Sequence, residues 1–350
     1  LVHGAPVPSE RVLADQLRVS RVTVKAALQD LTRLGLVAQP GEGSRLRRVV
    51  GPTTHGASAT MARTVVIVSH LPAVQGAVPG FDAALQMDVM RQLGQAGLHA
   101  LLVDPAAADD GAFIADRPAG VLLTYRVSES PQGRSLARRC VDAGLPTVIY
   151  GDGPGLEPFD RVTHDHEAGS ALLTQLLIDR GCRRILRFWR FPQDHPWLDQ
   201  RSAGFERVAR AAGLPVLPVA RSPELENFGS FPQRVRAFAG FLSEFVLGKQ
   251  PIDALMVATD LHALEAGEAV ALLGKRPGED VRIVGYDNAW RFWQTREDGA
   301  HHAPPPLATI DKQQEQIARR LVELLRIRAV DTPAATPQRV AVEPRLVLST

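Results

Sequence analysis

Four polar side chains stand where apolar runs give way to helices or loops. Asp260 follows the run Ala254–Ala258, Asp287 and Asn288 follow Val281–Gly285, and Arg201 lies just beyond the loop leaving Arg184–Phe188. If those runs are strands of a parallel sheet, these residues sit at carboxyl ends, where such sheets hold ligands. A guanidinium with carboxylates supplies the paired donors and acceptors that a polyol needs, because a buried hydroxyl left without a partner costs about 1–3 kcal/mol. An aromatic face covers the apolar side of a sugar ring. Phe81, after the run Thr64–Ser69, and Phe228, in Glu226-Asn227-Phe228-Gly229, are the candidates.

Several of these residues also have a purely structural use. Asp165 and Asp260 both precede helices and could be N-caps, and Asp165 is read as one. Phe81 fits core packing equally well. Arg201 could pair with a surface carboxylate, but its strand-end position favours a ligand. Trp189, Trp197, Trp290 and Trp293 fall in the same loops and are candidates for the lining of a cleft or for a subunit interface. His301-His302 has no further ligands at a suitable spacing, so no metal site is expected.

A second chemistry lies at the amino end. Residues 1–50 carry eight basic and four acidic side chains, so this segment holds +4 and the rest −2 of a total of +2. A basic module on a near-neutral body suits a polyanion. Its elements are legible. Ser9 caps a helix to about Leu17, Arg18-Val19 turns, and Ser20 caps a second helix with Val24, Ala27, Leu28, Leu31 and Leu34 on one face. Gly35 ends that helix. A strand over 36–39, a turn at Pro40-Gly41-Glu42-Gly43 and a returning strand over 45–49 follow. Two short helices joined by a three-residue turn make a helix-turn-helix, whose second helix can enter a major groove.

Pro8-Ser9-Glu10-Arg11-Val12-Leu13-Ala14, Val19-Ser20-Arg21-Val22-Thr23-Val24-Lys25-Ala26-Ala27-Leu28, Leu34-Gly35-Leu36-Val37 and Gly41-Glu42-Gly43-Ser44 resemble the winged helix of GntR-type transcription regulators. The resemblance covers residues 6–49. It implies that Arg11 touches the phosphate backbone, that Ser20, Arg21, Thr23 and Lys25 sit at the groove, and that Gly41 and Gly43 let a wing approach the minor groove. The family's usual further helix ahead of the motif is expected to be lacking here.

Beyond a Gly-, Pro- and Thr-containing linker over 51–63, strands and helices alternate to the end of the chain, which predicts parallel sheets flanked by helices. The length calls for two sheets with a cleft between them. The ordered set Val162–Gly169, Asp199–Phe205, Ala258–Leu264, Val281–Asn288 and Leu307–Asp311 resembles the effector domain of LacI-type repressors, itself similar to type I periplasmic sugar-binding proteins. The resemblance covers residues 64–348 and implies that Arg201, Asp260 and Asp287 hold the effector. Two departures stand out: 105–118 is shorter than the segment usual there, and 290–306 is longer. A GntR-type winged helix joined to a LacI-type sensor resembles arabinose-repressor-like regulators.

The predicted architecture is therefore α/β. A winged helix-turn-helix occupies 1–50, a linker 51–63, and a two-lobed effector domain with two parallel sheets 64–350. The expected function is a DNA-binding transcription regulator, a dimeric repressor of an operator controlled by a carbohydrate effector. The alternative is the solute-binding protein of a sugar transporter, which would need an export signal and no DNA module. No G-x-S-x-G elbow, Walker loop or strand-borne G-x-G-x-x-G occurs, so neither an enzyme nor a cofactor is expected. Cys140 and Cys182 exclude a disulfide scaffold. No uncharged apolar run approaches the roughly 20 residues of a membrane helix, and residues 1–10 do not read as a signal peptide, so a cytoplasmic protein is expected.

Overall fold

A computed structural model describes residues 7–33, 37–38, 49–50, 60–70, 81–190, 195–222, 229–296, 304–330 and 336–349. The turn at 40–43, Gly35, most of the linker, Phe228 and His301-His302 lie outside the described residues.

The amino-terminal helices form as their caps dictate. Helix α1 (Glu10–Leu17) starts where Ser9 Oγ accepts the Val12 N–H, and it stops at Arg18, whose φ of 53° is left-handed. Helix α2 (Arg21–Arg33) starts where Ser20 Oγ accepts the Thr23 N–H at 3.1 Å. Ala14, Val24 and Leu28 are buried together, with Val7, Leu13 and Leu31 packed on them. Ala27, expected on the buried face, is exposed. The short strands β1 (Val37–Ala38) and β2 (Val49–Val50) pair antiparallel, so the returning strand lies at the carboxyl end of the expected segment.

The remaining chain builds two six-stranded sheets. The first contains β3 (Thr64–Val68), β4 (His99–Val103), β5 (Gly120–Leu123), β6 (Thr147–Tyr150), β7 (Asp160–His164) and a late strand, β13 (Arg339–Val342), in the order β13-β7-β6-β5-β3-β4. The second contains β8 (Ile185–Trp189), β9 (Ala220–Arg221), β10 (Ala254–Val257), β11 (Arg282–Tyr286), β12 (Ala308–Asp311) and β14 (Arg345–Leu348), in the order β14-β12-β11-β10-β8-β9. Only the β12–β14 pairing in this second sheet is antiparallel.

Strands β7, β13 and β14 have no counterpart among the predicted strands. Strand β9 has only two residues, Ala220–Arg221. Where only a long loop was expected, a short helix covers Trp290–Arg296. The short segment at 105–118 contributes a four-residue helix, Pro105–Ala108, and one 3-10 turn.

The second sheet shows why parallel strands read as continuous apolar runs. Leu186, Phe188, Leu255, Val257 and Ile283 face helices Phe231–Leu247 and Asp260–Leu272. Ile185, Trp189, Ala254, Met256 and Val284 face helices His166–Asp179 and Pro196–Ala211. Successive residues point to opposite faces, and both faces are covered. The strand order reverses between β8 and β10, and such a switch leaves a crevice at the carboxyl ends.

Candidate functional site

Arg11, Ser20, Arg21, Thr23 and Lys25 are all solvent-exposed on α1, α2 and the turn between them. Ser20 is committed to its cap, and its Oγ also lies 2.8 Å from the Thr23 hydroxyl. The apolar back of α2 is held by Val24 and Leu28, which leaves Arg21 and Lys25 outward. Between them Val22 is 77% exposed, an apolar group that pattern reading passed over because it fits neither the buried face nor the basic stripe. Gly41 and Gly43 lie outside the described residues.

The effector candidates that can be placed all belong to one compact unit, comprising 76–89, 150–321 and 336–350. Arg201 projects from the second turn of helix Pro196–Ala211 and is only 2% exposed. Its guanidinium lies between two rings, 3.5 Å from the centroid of Tyr286 and 4.5 Å from that of Trp197. It donates to the Ala258 carbonyl at 2.8 Å and to His166 Nδ1 at 3.3 Å. Stacking on aromatic faces and fork-like donation are what distinguish arginine from lysine here.

Two histidines at the end of β7 extend this cluster. His164 and His166 have ring centroids 3.7 Å apart, and His166 stacks on Trp197. Between them Asp165 turns away and caps its helix through the Ala168 N–H, as the cap reading has it. Burial, reinforced by the cations of Arg201 and Lys312, holds both imidazoles well below the usual histidine range, so both are neutral. His164 Nδ1 lies 3.4 Å from the Tyr150 hydroxyl. Its Nε2 is buried without a hydrogen-bond partner among the described residues.

Phe81 opens helix Phe81–Gln95 and packs on Tyr150 and His164 with centroids 6.0 and 6.3 Å away. Lys312 Nζ sits 3.7 Å from the Phe81 centroid and 2.7 Å from Asp287 Oδ1. Phe81 is thus a wall of the polar cluster. Asp287 also lines a cavity of about 610 Å³ with Asn288, Asp88, Asp311, Gln313 and Arg319. Chemically the cluster offers stacked rings, a guanidinium, an ammonium, a carboxylate and neutral imidazoles, a set suited to a ring with several hydroxyls.

Asp260 does a different job in this structure. It is wholly buried, and its Oδ2 accepts the Ala289 and Trp290 N–H groups and the Thr309 hydroxyl. The cap of its helix is Thr259. Burial, with the Asp287 charge adding to it, pushes the Asp260 carboxyl up to about 8. Of the tryptophans, Trp197 joins the site, Trp189 ends β8 within the core, and Trp290 and Trp293 belong to the short helix after Asp287.

A second buried polar group occupies the other flank of the β8–β10 crevice. Glu265 bridges Arg190, which follows β8, and Arg234, whose Nε is 2.7 Å from Glu265 Oε1. Beside them burial and the two guanidiniums keep His262 neutral. His164, His166, Tyr150, Tyr286 and Lys312 were not singled out from sequence. The signal available was histidines on either side of a helix cap at a strand end.

Among known families, the "Periplasmic binding protein-like domain" matches residues 174–348 and "Bacterial regulatory proteins, gntR family" matches residues 1–46. The first match spans half of the chain, and the chain belongs to that family, as a LacI-type effector domain that follows a GntR-type helix-turn-helix. The chain is similar to the HTH-type transcriptional regulator CelR of Thermobifida fusca, 28% identical over 232 residues, 65% of this chain and 62% of the relative. It is similar to the sucrose operon repressor of Escherichia coli, 26% identical over 254 residues, 68% and 69% of the two chains. With the HTH-type transcriptional repressor PurR of Aliivibrio fischeri it shares 31% over 189 residues, 53% and 51%. The chain thus spans from about half to about two thirds of the length of these relatives.

Two solved structures have the same fold. The transcriptional regulator CelR–cellobiose complex covers 98% of this chain and 99% of its own, with a TM-score of 0.62 at 24% identity. A regulatory protein of the LacI family from Chloroflexus aggregans covers 82% and 97%, with a TM-score of 0.63 at 20% identity.

Proposed function

We propose that this chain is a one-component transcription regulator, a repressor that binds operator DNA through residues 1–50 and releases or gains it according to a carbohydrate bound at Arg201 and Asp287. The observation that carries the reading is that an exposed basic helix, Arg21–Arg33, shares a chain with a buried ring-lined polar site. A solute-binding protein of a transporter has no use for the former. An enzyme would need a nucleophile or base aimed at a reacting atom, and the residues at this site suit holding rather than reacting.

In this reading Arg21, Thr23 and Lys25 meet base edges and phosphates, Arg11 meets phosphate, and Gly41 and Gly43 belong to the wing. Arg201 and Asp287 hold hydroxyls, Phe81 and Phe228 cover ring faces, and Asp260 serves the site from behind. The relatives include a regulator solved with cellobiose and a sucrose repressor, which supports a sugar as the effector class. The working form is a homodimer, since two recognition helices about 34 Å apart read successive major grooves.

The test has two arms. Thermal shift against a panel of mono- and disaccharides that includes cellobiose and sucrose should find one that stabilises by about 2.7 kcal/mol at one hundred times its dissociation constant. Footprinting across the chain's own promoter region should show a protected palindrome whose occupancy responds to that sugar. No stabilising sugar, or no protected palindrome, overturns the corresponding half of the reading.

A further inference from the structure

The backbone that carries Asp287 is held in an unusual conformation. Asp287 has a φ of 97° and Asn288 of 52°, both in the left-handed region that residues with a Cβ seldom occupy. Two in succession persist only where the surroundings over-determine them.

That over-determination is visible amide by amide. The Asp287 N–H donates to the Ile310 carbonyl at 2.8 Å, and the Asn288 N–H donates to Thr309 Oγ1 at 3.1 Å. The Ala289 and Trp290 N–H groups both donate to Asp260 Oδ2, at 2.7 and 3.2 Å. The Thr309 hydroxyl then donates to that same oxygen at 3.0 Å, which locks the two side chains together. Four consecutive amides are thus held from two sides, by Asp260 at the start of the helix that follows β10 and by Thr309 and Ile310 within β12, the two strands that flank β11 in the sheet. Gly285 is required by the same packing, since a Cβ there would lie 2.4 Å from Asp260 Oδ1.

Asp260 and Thr309 have no exposed surface, so neither can touch a ligand from where it stands. We propose that Asp260 and Thr309 are positioning residues of the effector site, a two-residue clamp that fixes the 287–290 backbone and so presents the Asp287 carboxylate beside Lys312 and Phe81. The link to binding rests on the reading of Asp287 as a ligand contact; the clamp itself does not.

The experiment uses the full chain with Thr309→Val, which keeps shape and loses the hydroxyl, and Thr309→Ser, which keeps the hydroxyl. Amide exchange is followed without ligand. Thr309 bonds only the Asn288 amide directly, so a local role would loosen that amide alone. The clamp requires T309V to speed exchange at Ala289 and Trp290 as well, by about two- to tenfold, the scale of one lost hydrogen bond between neutral groups. T309S should exchange like the wild type. Unchanged protection at Ala289 and Trp290 in T309V overturns the clamp. So would rapid exchange of the Asn288, Ala289 and Trp290 amides in the wild type, a measurement that needs no variant to fold.

Binding is read with cellobiose and, in parallel, each other sugar of the panel. T309V should weaken it about tenfold, and Asp287→Ala should then cost less in T309V than in the wild type. Loosened amides with unaltered sugar affinity overturn the positioning role. If the wild type binds no sugar at all, the proposed effector class falls, while amide exchange still decides the clamp.

Discussion

At the scale of single residues, the site combines groups whose protonation is opposed by burial. Burial raises the Asp260 carboxyl from 3.8 to about 8, whereas it lowers His164, His166 and His262 well below 6.5. A carboxyl with a raised folded value stabilises fully below its unfolded value, and that contribution is lost as pH climbs through the folded one. For Asp260 the loss runs from pH 3.8 to about 8. A histidine with a lowered folded value works the other way, with stability present above 6.5 and lost as pH falls. The window from pH 6.5 to about 8 therefore isolates Asp260 among these four groups. The melting temperature of the wild type should decline across it relative to Asp260→Asn, which cannot ionise. Parallel profiles for the two proteins would show that Asp260 is not protonated at neutral pH.

Asp287 differs in kind because it is partly exposed and pairs with Lys312. Asp287→Ala leaves the nearly buried Lys312 ammonium without its carboxylate and sets an alanine at a positive φ, so its melting temperature should fall somewhat without ligand. The substitution should weaken effector binding by about 1.5–3 kcal/mol, the range for hydrogen bonds to charged groups. Calorimetric titration reads this directly, and a loss below about 0.5 kcal/mol would remove Asp287 from the ligand contacts. Arg201→Ala loses more than a ligand contact, because the side chain also fills the space between Trp197 and Tyr286. Its melting temperature should fall even without ligand.

At the scale of elements, helix Pro196–Ala211 delivers Arg201 and must lie close against helix His166–Asp179. Gly204 permits the approach, since a Cβ there would meet the Glu167 carbonyl oxygen at 2.1 Å. Gly204→Ala should destabilise by about 1–3 kcal/mol through overpacking. Gly240, in helix Phe231–Leu247, has open space and an ordinary helical φ, so Gly240→Ala should stabilise by about 0.4–1 kcal/mol. Denaturant titrations of the pair check both signs, and a neutral Gly204→Ala would mean that the helices can part at no cost.

These elements were mostly legible beforehand because their signals are local. Caps such as Ser9, Ser20 and Asp165 act within three residues, and the apolar runs of β3, β8 and β10 need no partner to be recognised. Strands β13 and β14 were not legible. Each is four residues long, and each pairs with a strand distant in sequence, β7 and β12. The site divides in the same way. Arg201 and Asp287 follow strands and could be named. The work of Asp260 depends on Thr309, 49 positions away, and on two left-handed residues that no residue type announces. Lys312 escaped notice because its partners, Phe81 and Asp287, come from two other segments of the chain.

At the scale of the whole molecule, the proposed regulator must couple a DNA-reading module to a sugar site, and that coupling obeys a constraint independent of mechanism. An effector can change operator affinity only by its differential affinity for the operator-bound and operator-free forms. The same factor must then appear in reverse, with operator DNA changing effector affinity by that factor. Operator titrations with and without saturating effector, and effector titrations with and without saturating operator, should therefore give one ratio. Arg21→Ala should lower operator affinity by about 1–3 kcal/mol if it contacts a base edge, and leave effector affinity in the absence of DNA untouched. Asp287→Ala should do the reverse. Its operator affinity without effector should match the wild type, and the effector concentration needed to alter DNA binding should rise about ten- to hundredfold, in step with its loss of effector affinity. An Asp287→Ala protein that still responds at wild-type effector concentrations would place the sensing site elsewhere in the chain.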